Sequence, residues 1–171
     1  SLCEEVEFPL RELIFDGPAE ELSRTRYTQP CVFIVNHLIH RRLTRHGHEP
    51  GWFAGHSLGE YNALVGAGRV GFEELLPVVL ERGRAMDRAA GAVDGTMAAI
   101  LRYDASKLEE LCDRVSRDSQ PEGTVRIALY NSPDQLVVSG SRAAVETVRE
   151  EALEDGALKA VELDVSGPWH S

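Results

Sequence analysis

A serine flanked by glycines two residues to either side, Gly55-His56-Ser57-Leu58-Gly59, stands between an apolar run, Trp52-Phe53-Ala54-Gly55, and a helical stretch from Leu58 to Ala67. The order constrains the fold: a G-x-S-x-G turn needs a strand leading in and a helix leading out. Glycines at those two places let strand and helix approach closely, and the serine at the apex takes a strained backbone that pushes its hydroxyl outward. The backbone N–H of Leu58, opening the helix, points where an oxyanion would form, with the positive end of the helix dipole behind it. The spacing therefore predicts an α/β chain with Ser57 as its nucleophile.

The remaining patterns fill in that architecture. Asp16-Gly17-Pro18 is a turn signal, followed by a short helix over Ala19–Ser23. Thr28-Gln29-Pro30 reads as a helix start, with threonine as cap and proline in the first turn. The residues after it are apolar almost all round and predict a helix buried on most sides. It closes on Arg41, Arg42 and Arg45, favourable beside the negative helix end. Phe72 to Arg88 carries a helical stripe at 72, 75, 76, 79, 80, 83 and 86, with Pro77 inside it implying a late start or a kink.

From Met97 the period changes. Strands are expected over Met97–Leu101, Val125–Tyr130, Gln135–Ser139 and Lys159–Val165, with helices over Ser106–Arg117 and Ser141–Glu154. Asn131-Ser132-Pro133-Asp134 is the hairpin turn. This βαββαβ order is that of a ferredoxin-like subdomain. The expected fold is thus α/β: a hydrolase-like parallel-sheet core with helices, into which a ferredoxin-like α+β subdomain is inserted. The expected boundaries are 1–95 for part of the core, 96–165 for the small subdomain and 166–171 for the return to the core.

Charge and cysteine usage narrow the function classes. Lys plus Arg number 18 against 28 Asp plus Glu, a net charge of −10, which argues against nucleic acid or anionic membrane as a partner. No apolar run approaches the roughly 18 residues of a membrane span. Cys3, Cys31 and Cys112 are odd in number and lack metal-ligand spacing, so no metal site is expected. They indicate buried or incidental thiols in a reducing compartment, the cytoplasm. The acidic first residues do not read as a signal peptide. Both ends read as cut, and a fragment is expected.

Serine becomes nucleophilic at neutral pH only beside a base. Of six histidines, His37, His40, His46 and His48 lie on or just after the long helix and read as surface or packing residues. His56 adjoins the nucleophile, but neighbours at such a turn point apart. His170, in Gly167-Pro168-Trp169-His170-Ser171, remains.

These motifs together resemble the malonyl-CoA:acyl carrier protein transacylase family, including the discrete acyltransferases that serve polyketide synthases in trans. Thr28-Gln29-Pro30 is similar to its T-Q-P helix start, and Gly55-His56-Ser57-Leu58-Gly59-Glu60-Tyr61 to its G-H-S-x-G-E motif. Arg82-Gly83-Arg84 with Met86 resembles its arginine segment, and Gly95-Thr96-Met97-Ala98-Ala99 the approach to its small subdomain. Asn131-Ser132-Pro133 with Gln135 and Ser139-Gly140 is similar to its hairpin, and Gly167-Pro168-Trp169-His170-Ser171 to its histidine motif. The match is colinear over nearly the whole chain.

The resemblance implies a cytoplasmic acyltransferase of polyketide or fatty acid biosynthesis, moving a malonyl-type group from coenzyme A to an acyl carrier protein by ping-pong transfer. Ser57 and His170 would form the dyad, the Leu58 N–H would contribute to the oxyanion hole, and Arg82 would hold the free carboxylate. Gln29, His56, Asn131 and Trp169 would line the substrate pocket. No cofactor would be permanently bound; the coenzyme A thioester and the carrier's phosphopantetheine enter as substrates. The bulk of Trp169 before the histidine resembles malonyl-selective members, where a serine goes with methylmalonyl. That family usually has phenylalanine there, so an unusual acyl group is also open. Two features of the family pattern are missing: its N-terminal glycine–glutamine strand motif and the segment after the histidine. An acyl hydrolase with the same dyad and a non-catalytic carrier-docking module remain as rival readings. For Arg82 the plain alternative is a surface arginine paired with Glu81 or Glu74. Arg41, Arg42 and Arg45 are candidates for docking an acidic carrier protein, or a solvated helix end.

Overall fold

The computed structural model describes residue 6 and residues 8–119 and 123–171. It divides into two compact units, Ser1–Arg88 and Ala89–Ser171. The division falls ahead of the 95/96 boundary expected from the sequence, and residues 166–171 group with the second unit.

The first unit is built from helices: α1 (Leu10–Phe15), α2 (Ala19–Leu22), α3 (Thr25–Arg45), α4 (Gly59–Gly66) and α5 (Phe72–Ala90). Thr28-Gln29-Pro30 does not start α3, which begins at Thr25. The Thr28 hydroxyl donates instead to the Leu22 carbonyl at 2.6 Å. Pro30 is tolerated inside the helix because the carbonyl it strands, four residues back, belongs to Arg26 in the first turn. That carbonyl lies against the backbone of α5 at Gly83, where an added Cβ would come within 3.1 Å of it. Likewise α5 runs unbroken from Phe72 through Pro77, so no late start occurs.

The core of this unit gathers Phe33 and Ile34 of α3 with Phe72, Leu76 and Val79 of α5. Phe33 and Phe72 stack at 5.0 Å between centroids. Such pairs contribute about 0.5–1.5 kcal/mol beyond their buried area. The expectation that α3 is buried on most sides is corrected: Val32, Leu38, Ile39 and Leu43 are exposed. Among the described residues of this unit, α3 is covered mainly along its N-terminal half, by α2, α4 and α5.

Residues 52–55 do not form a strand; they run as irregular chain, with Trp52 95% exposed. A strand exists by its ladder, and among the described residues none pairs with this stretch. The one sheet among the described residues is antiparallel and lies in the second unit.

That unit follows the expected βαββαβ order: β1 (Gly95–Leu101), α6 (Ala105–Asp118), β2 (Val125–Ser132), β3 (Gln135–Ser141), α7 (Arg142–Glu154) and β4 (Lys159–Glu162). The strands lie in the order β2-β3-β1-β4, all antiparallel, with Ala99 opposite Val137 and Ile100 opposite Leu136. The period-2 alternation of strands divides β1 between two faces. Ala98 and Ile100 meet Leu108 and Val115 of α6 and Val145 and Val148 of α7. Met97 and Ala99 face the other way, toward Val137, Leu163 and Trp169. Asp104 caps α6 by accepting a hydrogen bond from the Lys107 N–H at 3.0 Å. The hairpin turns through Pro133-Asp134, as its residue types require.

Candidate active site

Ser57 has φ +52°, in the left-handed region that costs any side chain but glycine energy. Among the described residues only three non-glycine positions have positive φ: Ser57, Arg102 and His170. Arg102 follows β1 and donates its N–H to the Asp134 carbonyl at 2.9 Å, a turn requirement. The other two are the positions singled out in the sequence for nucleophile and base.

The turn that strains Ser57 is held by its neighbours. Gly59, Glu60 and Tyr61 donate backbone N–H groups to the carbonyls of His56, Ser57 and Leu58 at 2.8, 3.3 and 3.1 Å, winding the chain into α4. A Cβ at position 55 would sit 1.9 Å from the Gly59 carbonyl carbon and 2.1 Å from the Glu60 nitrogen. Gly55 is therefore there for close approach. Gly55→Val is expected to destabilise the first unit by about 2–4 kcal/mol, as overpacking and displaced backbone combine. A denaturant midpoint unchanged from the parent chain would contradict this.

Leu58 is buried and already helical, with φ −56° and ψ −34°, so its N–H belongs to the first turn of α4. One turn on, Asn62 donates its amide to the Phe33 carbonyl at 2.9 Å and accepts from Asn36 at 3.3 Å. These two bonds tie α4, and with it the serine turn, to α3.

Arg82 completes the arrangement. It lies on α5 next to Gly83, where α5 approaches the first turn of α3. Its Nη2 donates to Ser57 Oγ at 3.1 Å, its Nη1 donates to Gln29 Oε1, and its guanidinium lies 5.8 Å from the centre of the Tyr61 ring. The alternative pairing with Glu81 or Glu74 does not occur. Glu81 receives Arg88 at 2.7 Å and Arg84 at 3.7 Å, and those charges and hydrogen bonds hold its carboxyl below the usual range. Glu74 accepts from the Gly71 N–H at 2.8 Å. Among the described residues no carboxylate pairs with Arg82. A half-buried guanidinium beside a strained serine can bind an anionic group and keep it within reach of Oγ.

Gln29, Ser57, Leu58 and Arg82 thus come together in the first unit, with His56 in the same turn. Asn131, Trp169 and His170 belong to the second unit. There Asn131 is exposed at the end of β2 and donates to Gln135 Oε1 at 3.3 Å. Trp169 packs on the Met97–Val137 face, and His170 is exposed with φ +63°. Tyr61, last residue of the Gly55–Tyr61 motif, received no role from the sequence, although its place one helical turn after Ser57 was a usable signal.

Of the histidines on α3, His37 and His40 make ring contacts, while His46 and His48 beyond it are exposed. His37 stacks on Phe72 at 4.1 Å, and His40 meets the edge of Phe53 at 5.5 Å. Burial, followed by the charges of Arg41 and His40, lowers the His37 pKa against an opposing pull from Glu73. Burial also raises the thiols of Cys31 and Cys112, to about 11 and about 12. Cys3 lies outside the described residues. Arg41, Arg42 and Arg45 are exposed, and Arg45 sits about 24 Å along the helix axis from Gln29, at 1.5 Å per residue. They do not line the Ser57 site. Among the described residues no cluster of His, Cys, Asp and Glu suits a metal ion, and no helix is long and apolar enough to cross a membrane.

The model of the acyl transferase domain matches residues 1–171. The chain belongs to the acyl transferase domain family. It is 42% identical over 168 residues to the malonyl CoA-acyl carrier protein transacylase of Bacillus subtilis (strain 168), a stretch covering 98% of this chain and 52% of that protein. The acyl-carrier-protein S-malonyltransferase of Burkholderia pseudomallei 1710b aligns over 99% of this chain and 54% of its own, with TM-score 0.89 and 39% identity. A malonyl-transacylase in complex with a type II PKS acyl-carrier protein aligns over 97% of this chain and 53% of its own, with TM-score 0.88 and 35% identity. This acyl transferase domain therefore spans about half the length of the relatives it matches.

Proposed function

We infer that this chain carries the nucleophile and carboxylate-binding half of an enzyme that transfers a malonyl-type group from coenzyme A to an acyl carrier protein, in fatty acid or polyketide biosynthesis. The observation that carries this reading is the hydrogen bond of 3.1 Å from Arg82 Nη2 to Ser57 Oγ. It sets a guanidinium with no carboxylate partner among the described residues next to a strained serine. The relatives named for malonyl transfer support the same reaction.

In the proposed mechanism Ser57 Oγ attacks the thioester carbonyl while His170 accepts the hydroxyl proton. The tetrahedral oxyanion is met by the Leu58 N–H at the start of α4. Collapse breaks the C–S bond, and His170 returns the proton to the coenzyme A sulfur. The carrier's phosphopantetheine thiol then gives its proton to His170 and attacks the acyl-serine, and Ser57 leaves as the alcohol with that proton. Arg82 holds the free carboxylate through both halves, while Gln29, His56, Asn131 and Trp169 line the pocket.

The finer fold assignments belong to this reading. The strand order β2-β3-β1-β4 supports reading the second unit as a ferredoxin-like subdomain over 96–165. The location is cytoplasmic, with no permanently bound cofactor.

Intact-mass measurement after mixing with malonyl-CoA tests the function. A malonyl adduct on Ser57 that persists in buffer and discharges onto holo-carrier protein is expected. Discharge to water at the same rate without the carrier would make the chain a hydrolase, and no adduct would overturn both.

A further inference from the structure

The guanidinium of Arg82 is shared between two acceptors on two different elements, and both are neutral. Nη1 reaches Gln29 Oε1 on α3, and Nη2 reaches Ser57 Oγ at the turn before α4. A guanidinium only donates, so the amide must present its oxygen to it. Gln29 lies in the second turn of α3, where the bonds from Asn62 and the close approach at Gly83 fix the helix against both α4 and α5. The Tyr61 ring, 5.8 Å from the guanidinium carbon, limits its swing on a further side.

The choice of acceptor has an electrostatic consequence. A carboxylate at position 29 would orient the guanidinium equally well but would cancel its charge, leaving little attraction for an anionic substrate. A carboxamide of the same length gives the orientation and leaves the positive charge available.

We propose that Gln29 is a positioning residue that aims Arg82 at the substrate's free carboxylate while leaving the guanidinium charge uncompensated, and so sets the preference for carboxylated over simple acyl groups. This deepens the functional reading above and rests on Arg82 being the carboxylate clamp. Gln29 acts through Arg82 and has no part in bond making.

The test compares malonyl-CoA with acetyl-CoA in the full chain, by the rate of adduct formation on Ser57 and by calorimetric binding of each thioester in a Ser57→Ala background, where no reaction consumes it. Gln29→Met keeps the shape and removes the acceptor. Gln29→Glu keeps shape and acceptor and adds the charge. Both are expected to lower the malonyl-to-acetyl ratio about ten- to a hundredfold, the scale of a lost hydrogen bond to a charged group, with the loss for acetyl the smaller of the two. The Gln29→Glu loss should shrink as pH falls and the new carboxyl is protonated, a readout that a packing role would not move.

Arg82→Ala separates the two ideas. If it collapses the ratio while both Gln29 variants keep it, the clamp stands and the positioning role is wrong. If Arg82→Ala leaves the ratio unchanged, or if the parent chain binds the two thioesters alike, the clamp itself fails and this inference with it. Equal losses for both thioesters in the Gln29 variants also overturn the proposal.

Discussion

Alanine in place of Ser57 is expected to abolish the acyl adduct and to lower transfer by about 10⁴–10⁶-fold, the range seen when a nucleophile is removed from a group of residues that acts as a unit. The expectation comes from the local geometry. A serine at φ +52° is an expensive arrangement, and the turn holds it with three backbone hydrogen bonds and a glycine that admits no side chain. The hydroxyl accepts from Arg82 Nη2 at 3.1 Å, a bond worth about 1.5 kcal/mol, so the alanine variant should keep its fold with at most a modest drop in unfolding midpoint. An adduct forming at the parental rate in that variant, on any other residue, would remove Ser57 from the chemistry.

Removing the Arg82 side chain should cost malonyl transfer about 2–5 kcal/mol, the scale for truncating one partner of a desolvated charge pair. That corresponds to a drop in kcat/KM from about 30-fold to several thousandfold. Acetyl transfer should fall far less, because an acyl group without a carboxylate gives the guanidinium nothing to hold. Arg82→Lys should fail to restore malonyl handling. A point charge on a flexible stem cannot donate to Gln29, Ser57 and a carboxylate together, as a planar five-donor fork can. Matching losses for malonyl and acetyl groups in the alanine variant would make Arg82 a support for the serine turn and nothing more.

Much of the second unit was legible beforehand, because its signals are local. Alternation over Met97–Leu101, the Asn131–Asp134 turn and the apolar stripes of α6 and α7 each depend on residues close in sequence. Their period decides the element without knowledge of the partner. The first unit was harder. The Thr-Gln-Pro start misplaced the beginning of α3 because proline is tolerated one turn further in when the carbonyl it frees lies against the neighbouring helix at Gly83. The apolar girth of α3 suggested deep burial, yet Leu38, Ile39 and Leu43 are exposed. Hydrophobicity records what a face can bury, and the elements that pack on it decide what is buried. The stretch 52–55 failed as a strand for the same reason, since a strand requires a partner that its own residues do not encode.

The sequence alone determined the strained serine turn and the βαββαβ order, for both follow from backbone preferences and residue periods over short spans. It also marked Arg82 through family resemblance, without saying what that side chain touches. The tertiary structure decided the meeting of Arg82 with Ser57, 25 residues away, and with Gln29, 53 residues away. Such a meeting depends on how three helices pack, at a close approach that Gly83 permits, and no pattern within one helix contains that information.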